Sequence, residues 1–417
     1  MKIPMVLKIN LERAGFVTPT PIQAGALEPA LNGSDILGTA QTGTGKTLAF
    51  LLPILSRLME SRSRNVEALI LAPTRELGLQ TIETLKVIGS GCGVYGVLVA
   101  GGFSEGRQLD AIRRGARLVV ATPGRLDDYI KRSLINLSSV KILVLDEADR
   151  MVDMGFLPQM KNIMNGIPKE RQTMCFSATL SKEVSHLVHD YLRKPVRVEV
   201  GSTLKPAESV TLHAYEVSRS KKTDLLSHLI RNDKGTFLVF TRTKHGADKL
   251  MDALRAQGFS VAVIHGGRSQ FQRLSALRGF KEGRHRVLVA TDVAARGIHV
   301  QGISHVINYD LPQAPEDFIH RVGRTGRVNE QGMATTFVAE GESQEMRRIE
   351  HILGKSITRG VLPEGFTPLK EERQYRKPFT PSRSRFQKRP TPFGQSRGRH
   401  GFAGRDRAPK HFFAHNI

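Results

Sequence analysis

The run Lys141-Ile142-Leu143-Val144-Leu145 is apolar and β-branched, and it ends abruptly in acids, Asp146-Glu147-Ala148-Asp149. Few architectures accept a buried strand that delivers carboxylates at its C-terminal end. In open α/β sheets that edge is where ligands bind, because the loops leaving the strands converge there. Similar short apolar runs recur, separated by helical patterns. Strands are expected near Ala68–Leu71, Leu118–Ala121, Ile142–Leu145 and Thr173–Phe176, then near Phe237–Phe240, Val261–Ile264, Val287–Ala290 and His305–Asn308. Such strand–helix alternation predicts parallel sheets covered by helices on both faces. At roughly 100–200 residues per domain, the 417 residues predict two or three units. The polar, turn-forming segment Gly201-Ser202-Thr203-Leu204-Lys205-Pro206-Ala207 marks the expected boundary.

The formal net charge of +23 calls for an anionic partner, nucleic acid before a membrane surface. The most apolar stretch, Leu48–Met59, is interrupted by Arg57 and is too short to span a bilayer. The N-terminus carries no signal-peptide pattern. Cys92 and Cys175 lie far apart, without disulfide-framework or metal-ligand spacing. These features exclude the disulfide-rich secreted and membrane-spanning classes and predict a cytoplasmic location without a membrane partner. Residues 370–417 hold 13 Lys or Arg against 3 Asp or Glu, with scattered Phe, Pro, Ser and Gly and no apolar periodicity. Such a segment buries too little surface to offset its chain entropy and is expected to be disordered.

The segment Ala40-Gln41-Thr42-Gly43-Thr44-Gly45-Lys46-Thr47 precedes a helix-like run, Leu48–Leu55. This is a phosphate-binding loop with Ala40 at its first position. Its glycines let backbone N–H groups curl around phosphate oxygens, and the helix N-terminus adds partial positive charge. Lys46 can reach the β- and γ-phosphates, and the Thr47 hydroxyl can ligate Mg²⁺. In that setting Asp146 is placed to hold Mg²⁺, partly through water, and Glu147 to orient or deprotonate the attacking water. ATP and Mg²⁺ are the expected cofactors. Acids favoured at a helix N-terminus are the plain alternative, which leaves their pairing with the phosphate loop unexplained.

Further motifs follow in order. Gly15-Phe16 precedes Pro19-Thr20 and Ile22-Gln23. Pro73-Thr74-Arg75-Glu76-Leu77, Gly101-Gly102, Thr122-Pro123-Gly124-Arg125 and Ser177-Ala178-Thr179 complete the first half. Val239-Phe240-Thr241, His265-Gly266-Gly267 with Gln270 and Arg273, Ala290-Thr291-Asp292-Val293-Ala294-Ala295-Arg296-Gly297 and His320-Arg321-Val322-Gly323-Arg324-Thr325-Gly326-Arg327 occupy the second. In this ordered set, over about residues 11–345, the chain resembles the DEAD-box ATP-dependent RNA helicases of helicase superfamily 2.

The resemblance implies an α/β fold of two tandem RecA-like parallel-sheet domains plus a disordered basic C-terminal tail. Residues 1–205 would form the ATP-binding domain, 206–365 the helicase C-terminal domain and 366–417 an RNA-binding tail. It implies adenine contacts from Phe16 and Gln23, nucleotide contacts from Ala40, Gln41, Thr42, Gly43, Thr44, Gly45, Lys46, Thr47 and Asp292, and arginine fingers at Arg324 and Arg327. Asp149, Ser177 and Thr179 would couple hydrolysis to strand separation. Pro73, Thr74, Arg75, Gly102, Thr122, Gly124 and Arg125 would bind RNA from one domain, and Thr241, Gly266, Gln270, Arg273 and Thr291 from the other. Thr, Gly and Arg suit phosphate and 2′-OH contacts, so backbone recognition with little sequence preference is expected. RNA is the expected partner, with ribosomal precursors or RNA-degradation proteins beside it, and the chain is expected to be monomeric.

Two departures stand out. The family continues Arg-Gly-Leu/Ile-Asp where this chain has Arg296-Gly297-Ile298-His299, and the missing acid would contact the ATP ribose. An aromatic residue that the family carries upstream of Gly15-Phe16 falls before Met1, so adenine packing is expected to be incomplete. Asp149-Arg150-Met151-Val152-Asp153-Met154-Gly155-Phe156, with the basic tail, looks most like the bacterial RhlE-type branch. An ATP-gated RNA clamp and a DNA translocase remain alternatives to a helicase; a nucleotide kinase or GTPase accounts for neither the second domain nor the tail.

Overall fold

In this computed structural model the described residues are 3–40, 43–200, 210–295, 303–326, 331–364 and 366. The expected boundary segment Gly201–Ala207 lies outside them, as does the basic tail beyond Phe366. The first lobe carries β1 (Ile36–Ala40), β2 (Ala68–Leu71), β3 (Gly96–Val99), β4 (Leu118–Ala121), β5 (Ile142–Asp146), β6 (Gln172–Ser177) and β7 (Val196–Val200). The second carries β8 (Val210–Glu216), β9 (Phe237–Thr241), β10 (Val261–Ile264), β11 (Val287–Thr291), β12 (His305–Asn308), β13 (Gly332–Val338) and β14 (Thr358–Arg359). Among the described residues the sheets run β3-β4-β2-β5-β6-β1-β7 and β10-β11-β9-β12-β13-β8-β14. Counted from each lobe's first strand, the two orders are the same, so one α/β plan is used twice. Neighbouring strands are parallel throughout.

All eight strands expected from the apolar runs are present, with ends shifted by at most a residue. Those not expected are β1, β3, β7, β8, β13 and β14. Their sequences are interrupted by small or polar residues, as in Ile36-Leu37-Gly38-Thr39-Ala40, or alternate with charge, as in Val196-Arg197-Val198-Glu199-Val200. Seven of the eight expected strands lie inside their sheets, where both faces are covered, and β10 forms an edge. Along β5, Ile142 and Val144 enter one hydrophobic core while Leu143 and Leu145 enter the core on the opposite face. In the second lobe Leu238 and Phe240 divide from Phe237 and Val239 in the same way. Each such side chain contributes about 1.5–3 kcal/mol on burial.

Parallel pairing puts every strand's C-terminal end on one edge of its sheet. Ala40, Asp146 and Ser177 therefore emerge together in the first lobe, as do Thr241 and Thr291 in the second. No helix among the described residues is long and apolar enough to cross a membrane.

Candidate active site and nucleic-acid interface

From the end of β1 the phosphate loop runs into the helix Lys46–Glu60. Gly43 and Gly45 adopt φ of 92° and 89°, the left-handed region that glycine enters without steric cost. At Gly45 space makes the same demand, because a Cβ there would lie 2.5 Å from Gln23 Nε2. Gln23 donates from that Nε2 to Gly45 O at 2.9 Å and accepts the Thr20 N–H at 3.0 Å. It thus closes the capping box of the helix Pro21–Leu31 and pins that helix to the loop. Phe16 stands nearby in sequence and is half-exposed. Lys46 is buried, and its Nζ donates to Ala40 O at 2.8 Å across the loop. Gln41 and Thr42 lie outside the described residues.

Asp146 ends β5 in a buried position, and its Oδ1 has no hydrogen-bond partner among the described residues. Burial pushes this carboxyl up to about 7; Lys46 opposes the rise and Glu147 reinforces it. A hard dication at the orphaned oxygen would reverse that balance. Mg²⁺, which takes oxygen ligands and keeps several waters, therefore fits Asp146.

Glu147 follows at φ 52°, a left-handed conformation that costs a non-glycine residue energy and often marks functional sites. Its Oε2 accepts Arg150 Nη1 in a buried ion pair. Burial works against the charged form, but Arg150, Lys46 and Arg324 outweigh it and hold Glu147 at about 2. Favoured in its charged form by these neighbours, the carboxylate can accept a hydrogen bond from a water and so align it.

Asp149 has partners of its own. Its Oδ2 accepts Ala178 N at 3.0 Å, Thr179 N at 2.7 Å and Thr179 Oγ1 at 3.0 Å. Ser177 Oγ accepts Asp149 N–H at 3.2 Å and donates to Thr179 O at 2.7 Å. The three residues expected to couple hydrolysis to strand separation are thus one hydrogen-bonded unit.

The second lobe completes the surroundings. Arg324 is buried, its Nε donates to His320 O at 3.1 Å, and its charge acts on Glu147. His320 is pushed down to about 4, by burial first and then by Arg150, with Asp149 opposing. Arg321 forks onto Asp292 at 2.5 and 2.7 Å and donates to Asn308 Oδ1 and Asp310 O. Asp292, expected at the nucleotide, is therefore engaged by a buried guanidinium, which needs that charge as its counterpart. Arg327 and the segment Arg296-Gly297-Ile298-His299 lie outside the described residues.

A cleft of about 520 Å³ gathers Pro73, Thr74, Arg75, Thr122, Gly124 and Arg125 from the first lobe and Arg273 from the second. Burial, and then the charge of Arg273, lower the pKa of Arg75 from its ordinary value, while Glu76 opposes. Glu76 and Asp128 also line this cleft, and Arg125 pairs with Glu105 at 3.1 Å, so the three arginines present cations among partial counter-charges. Gly102, at φ 81°, lets the Arg75 guanidinium lie against the chain where a Cβ would collide with it. Gln270 and Arg273, expected at RNA, are turned onto Glu76: Gln270 Nε2 donates at 3.1 Å and Arg273 pairs at 2.9 Å. Glu76 is a buried carboxylate of the first lobe, and these second-lobe groups compensate it. Thr241 is buried, with Oγ1 donating to Thr243 O, whereas Gly266 is exposed with open space about it. The motif-based expectations left out the partner roles of Glu76, Arg150 and Arg321. An acid inside an arginine-bearing motif and a Glu–Arg pair spaced i,i+3 were the available signals.

The profile of the DEAD/DEAH box helicase family matches residues 20–187, and that of the helicase conserved C-terminal domain matches 221–329. The DEAD-box ATP-dependent RNA helicase CshA of Bacillus subtilis is 40% identical over 350 residues, covering 84% of this chain and 71% of that protein. This chain belongs to the DEAD-box helicases. Among solved structures, S. cerevisiae Dbp5 bound to RNA and ADP BeF3 is 31% identical with a TM-score of 0.78, covering 86% of this helicase and 94% of that chain. A Dbp5 variant bound to nup159, gle1, ip6 and adp is 30% identical, covers 86% of this helicase and 95% of that chain, and reaches only 0.59.

Proposed function

We propose that this DEAD-box helicase hydrolyses ATP when RNA holds its two lobes together, and uses that state to unwind or remodel RNA locally. The observation that carries the reading is the seam at Glu147. The phosphate loop and the acids belong to one lobe, whereas Arg324, whose charge acts on Glu147, belongs to the other. Neither lobe alone holds a complete site. ATP binding and RNA binding then favour the same closed arrangement, so each tightens the other.

Within this reading Lys46 and the loop from Ala40 to Thr47 hold the phosphates, and Phe16 and Gln23 lie on the adenine side. Thr47 and Asp146 would hold Mg²⁺, which when bound neutralises charge on the phosphate oxygens. Glu147 aligns the attacking water, and Arg324 and Arg327 stabilise the charge that develops on the γ-phosphate. Asp149, with Ser177 and Thr179, transmits closure. Arg75, Arg125 and their Thr and Gly neighbours grip the RNA backbone, while Gln270 and Arg273 brace the lobes on Glu76. Domain limits of 1–205 and 206–365, a tail from 366, a monomeric state, a cytoplasmic location and a role in ribosome assembly or RNA turnover belong to the same reading. The RhlE-type placement rests on Asp149–Phe156 and the tail composition; the curated relative reported above is a CshA.

Unwinding separates this reading from an ATP-gated clamp. With ATP in excess, a short RNA duplex bearing a single-stranded extension should be separated over many turnovers. ATP-dependent retention of RNA without strand separation would favour the clamp, for which His299 in place of the family's acid is the main support.

Two further outcomes are expected. His299→Asp restores the acid that the family carries at this position and should lower the ATP KM several-fold or raise RNA-stimulated turnover; unchanged values of both would show that this position is neutral. Removing residues 370–417 should weaken RNA binding and flatten its salt dependence, since the deleted charges no longer displace counterions. Basal ATP hydrolysis should persist, and binding that is unchanged from low to high salt would count against a tethering tail.

A further inference from the structure

The motif His265-Gly266-Gly267 contributed only a glycine to the RNA-facing set, yet its histidine is the most constrained member. His265 follows β10 and is 3% exposed. Its Nδ1 lies 3.1 Å from the Gly267 N–H, and its Nε2 lies 2.9 Å from Asp248 Oδ1 on the helix Lys244–Ala256. An N–H donates only to a bare ring nitrogen. The Gly267 contact therefore places the proton on Nε2, where it is donated to Asp248, and the carboxylate in turn fixes this tautomer. Arg268 Nε is 3.3 Å from the same Nε2. With that nitrogen protonated the contact is no hydrogen bond, and Arg268 bonds instead through Nη2 to Asp248 at 2.5 Å.

The two faces of the turn differ. Behind Gly267, a Cβ would meet the His265 ring at 3.2 Å and Lys244 Cδ at 3.7 Å. Around Gly266 nothing lies within 4 Å of the Cβ position. The ring thus fills the inner side of the turn and leaves the Gly266 backbone facing open space. Directly beyond, Ser269 caps the helix Gln270–Lys281 in a capping box with Gln272. From that helix Gln270 and Arg273 reach Glu76 in the first lobe.

We infer that His265 is a positioning residue for RNA binding: through Nδ1 it holds the Gly266-Gly267 turn so that its backbone meets an RNA phosphate while the adjoining helix reaches the first lobe. The inference rests on the helicase reading and deepens it. The Nδ1–Gly267 contact sets the turn, and the Nε2–Asp248 contact sets the tautomer.

Two isosteric substitutions separate the contacts. The side-chain oxygen of Asn approximates Nδ1, whereas the side-chain nitrogen of Gln approximates Nε2. RNA-stimulated ATP turnover is measured against the concentration of a single-stranded oligoribonucleotide for wild type, His265→Asn and His265→Gln, with a thermal melt of each. The Gln variant should need roughly ten-fold more RNA for half-maximal stimulation, the scale of one lost hydrogen bond, with turnover at saturating RNA changed far less. The Asn variant should stay within about two- to three-fold of wild type, at the low end of that scale. The reverse ranking, or equal shifts, would overturn the inference and leave His265 a structural tie to Asp248. If the variants melt early, the wild-type imidazole ¹⁵N spectrum decides instead: a protonated Nδ1 at neutral pH overturns the inference and a bare Nδ1 supports it. Wild-type turnover that ignores RNA would count against the helicase reading itself, whatever the variants do.

Discussion

Glu147→Gln should lower RNA-stimulated ATP turnover by about 10²–10⁴-fold, the range for loss of a positioned acid–base group, while ATP-dependent RNA binding survives. The substitution keeps the shape and the hydrogen-bonding oxygen but removes the charge. A neutral amide aligns the water less firmly and cannot accept its proton. Binding should persist because the phosphate loop, the Asp146 carboxylate and the arginine-lined cleft are untouched. The helicase then stalls with ATP and RNA bound and its lobes together. A second consequence comes from Arg150, whose buried guanidinium pairs with Glu147. With Gln as partner it keeps a hydrogen bond and loses its counter-charge, which costs stability, since breaking a buried pair outright costs about 3–5 kcal/mol. A melting temperature a few degrees lower should therefore accompany the kinetic defect. Turnover within a few-fold of wild type would remove Glu147 from the proposed role.

Arg324→Ala should have an effect of similar size and a different signature. Single-turnover hydrolysis at saturating RNA should slow by about 10³-fold or more, the scale of an arginine finger in phosphoryl transfer. ATP binding to the first lobe should change little, because Arg324 belongs to the other lobe. Arg324→Lys restores the charge without the planar fork and should recover only part of the rate. Equal losses in ATP binding and in the chemical step would instead make Arg324 a packing residue of the seam, held by His320 O.

The local chemistry of the site was legible in the chain. Gly43, Gly45, Lys46 and Thr47 sit together in sequence because a phosphate loop is one turn, and Asp146 and Glu147 announce themselves at the end of an apolar strand. Strands such as β5 were legible for a similar reason, since burial on both faces leaves an unbroken Val, Ile and Leu run, whereas β1, equally buried, is broken by Gly38 and Thr39. Strands such as β7, whose Arg197 and Glu199 interrupt the apolar pattern, carry only half that signal. Contacts distant in sequence were illegible. Glu76 meets Gln270 across 194 positions, and no local pattern records that pairing. Motif order placed Gln270 and Arg273 on the RNA side. Only the fold shows that a buried carboxylate from the other lobe claims them. Likewise Asp292 is expected at the nucleotide until Arg321 is seen folded onto it.

The most direct test of the central claim, a site completed across two lobes and governed by RNA, is steady-state ATP hydrolysis by the wild-type chain. Rates are compared without nucleic acid, with single-stranded RNA and with single-stranded DNA of matching sequence. The account predicts a low basal rate, a rise of at least ten-fold with RNA that saturates at an RNA-dependent midpoint, and little response to DNA. A rate that is high without nucleic acid, or that rises equally with DNA, would contradict it.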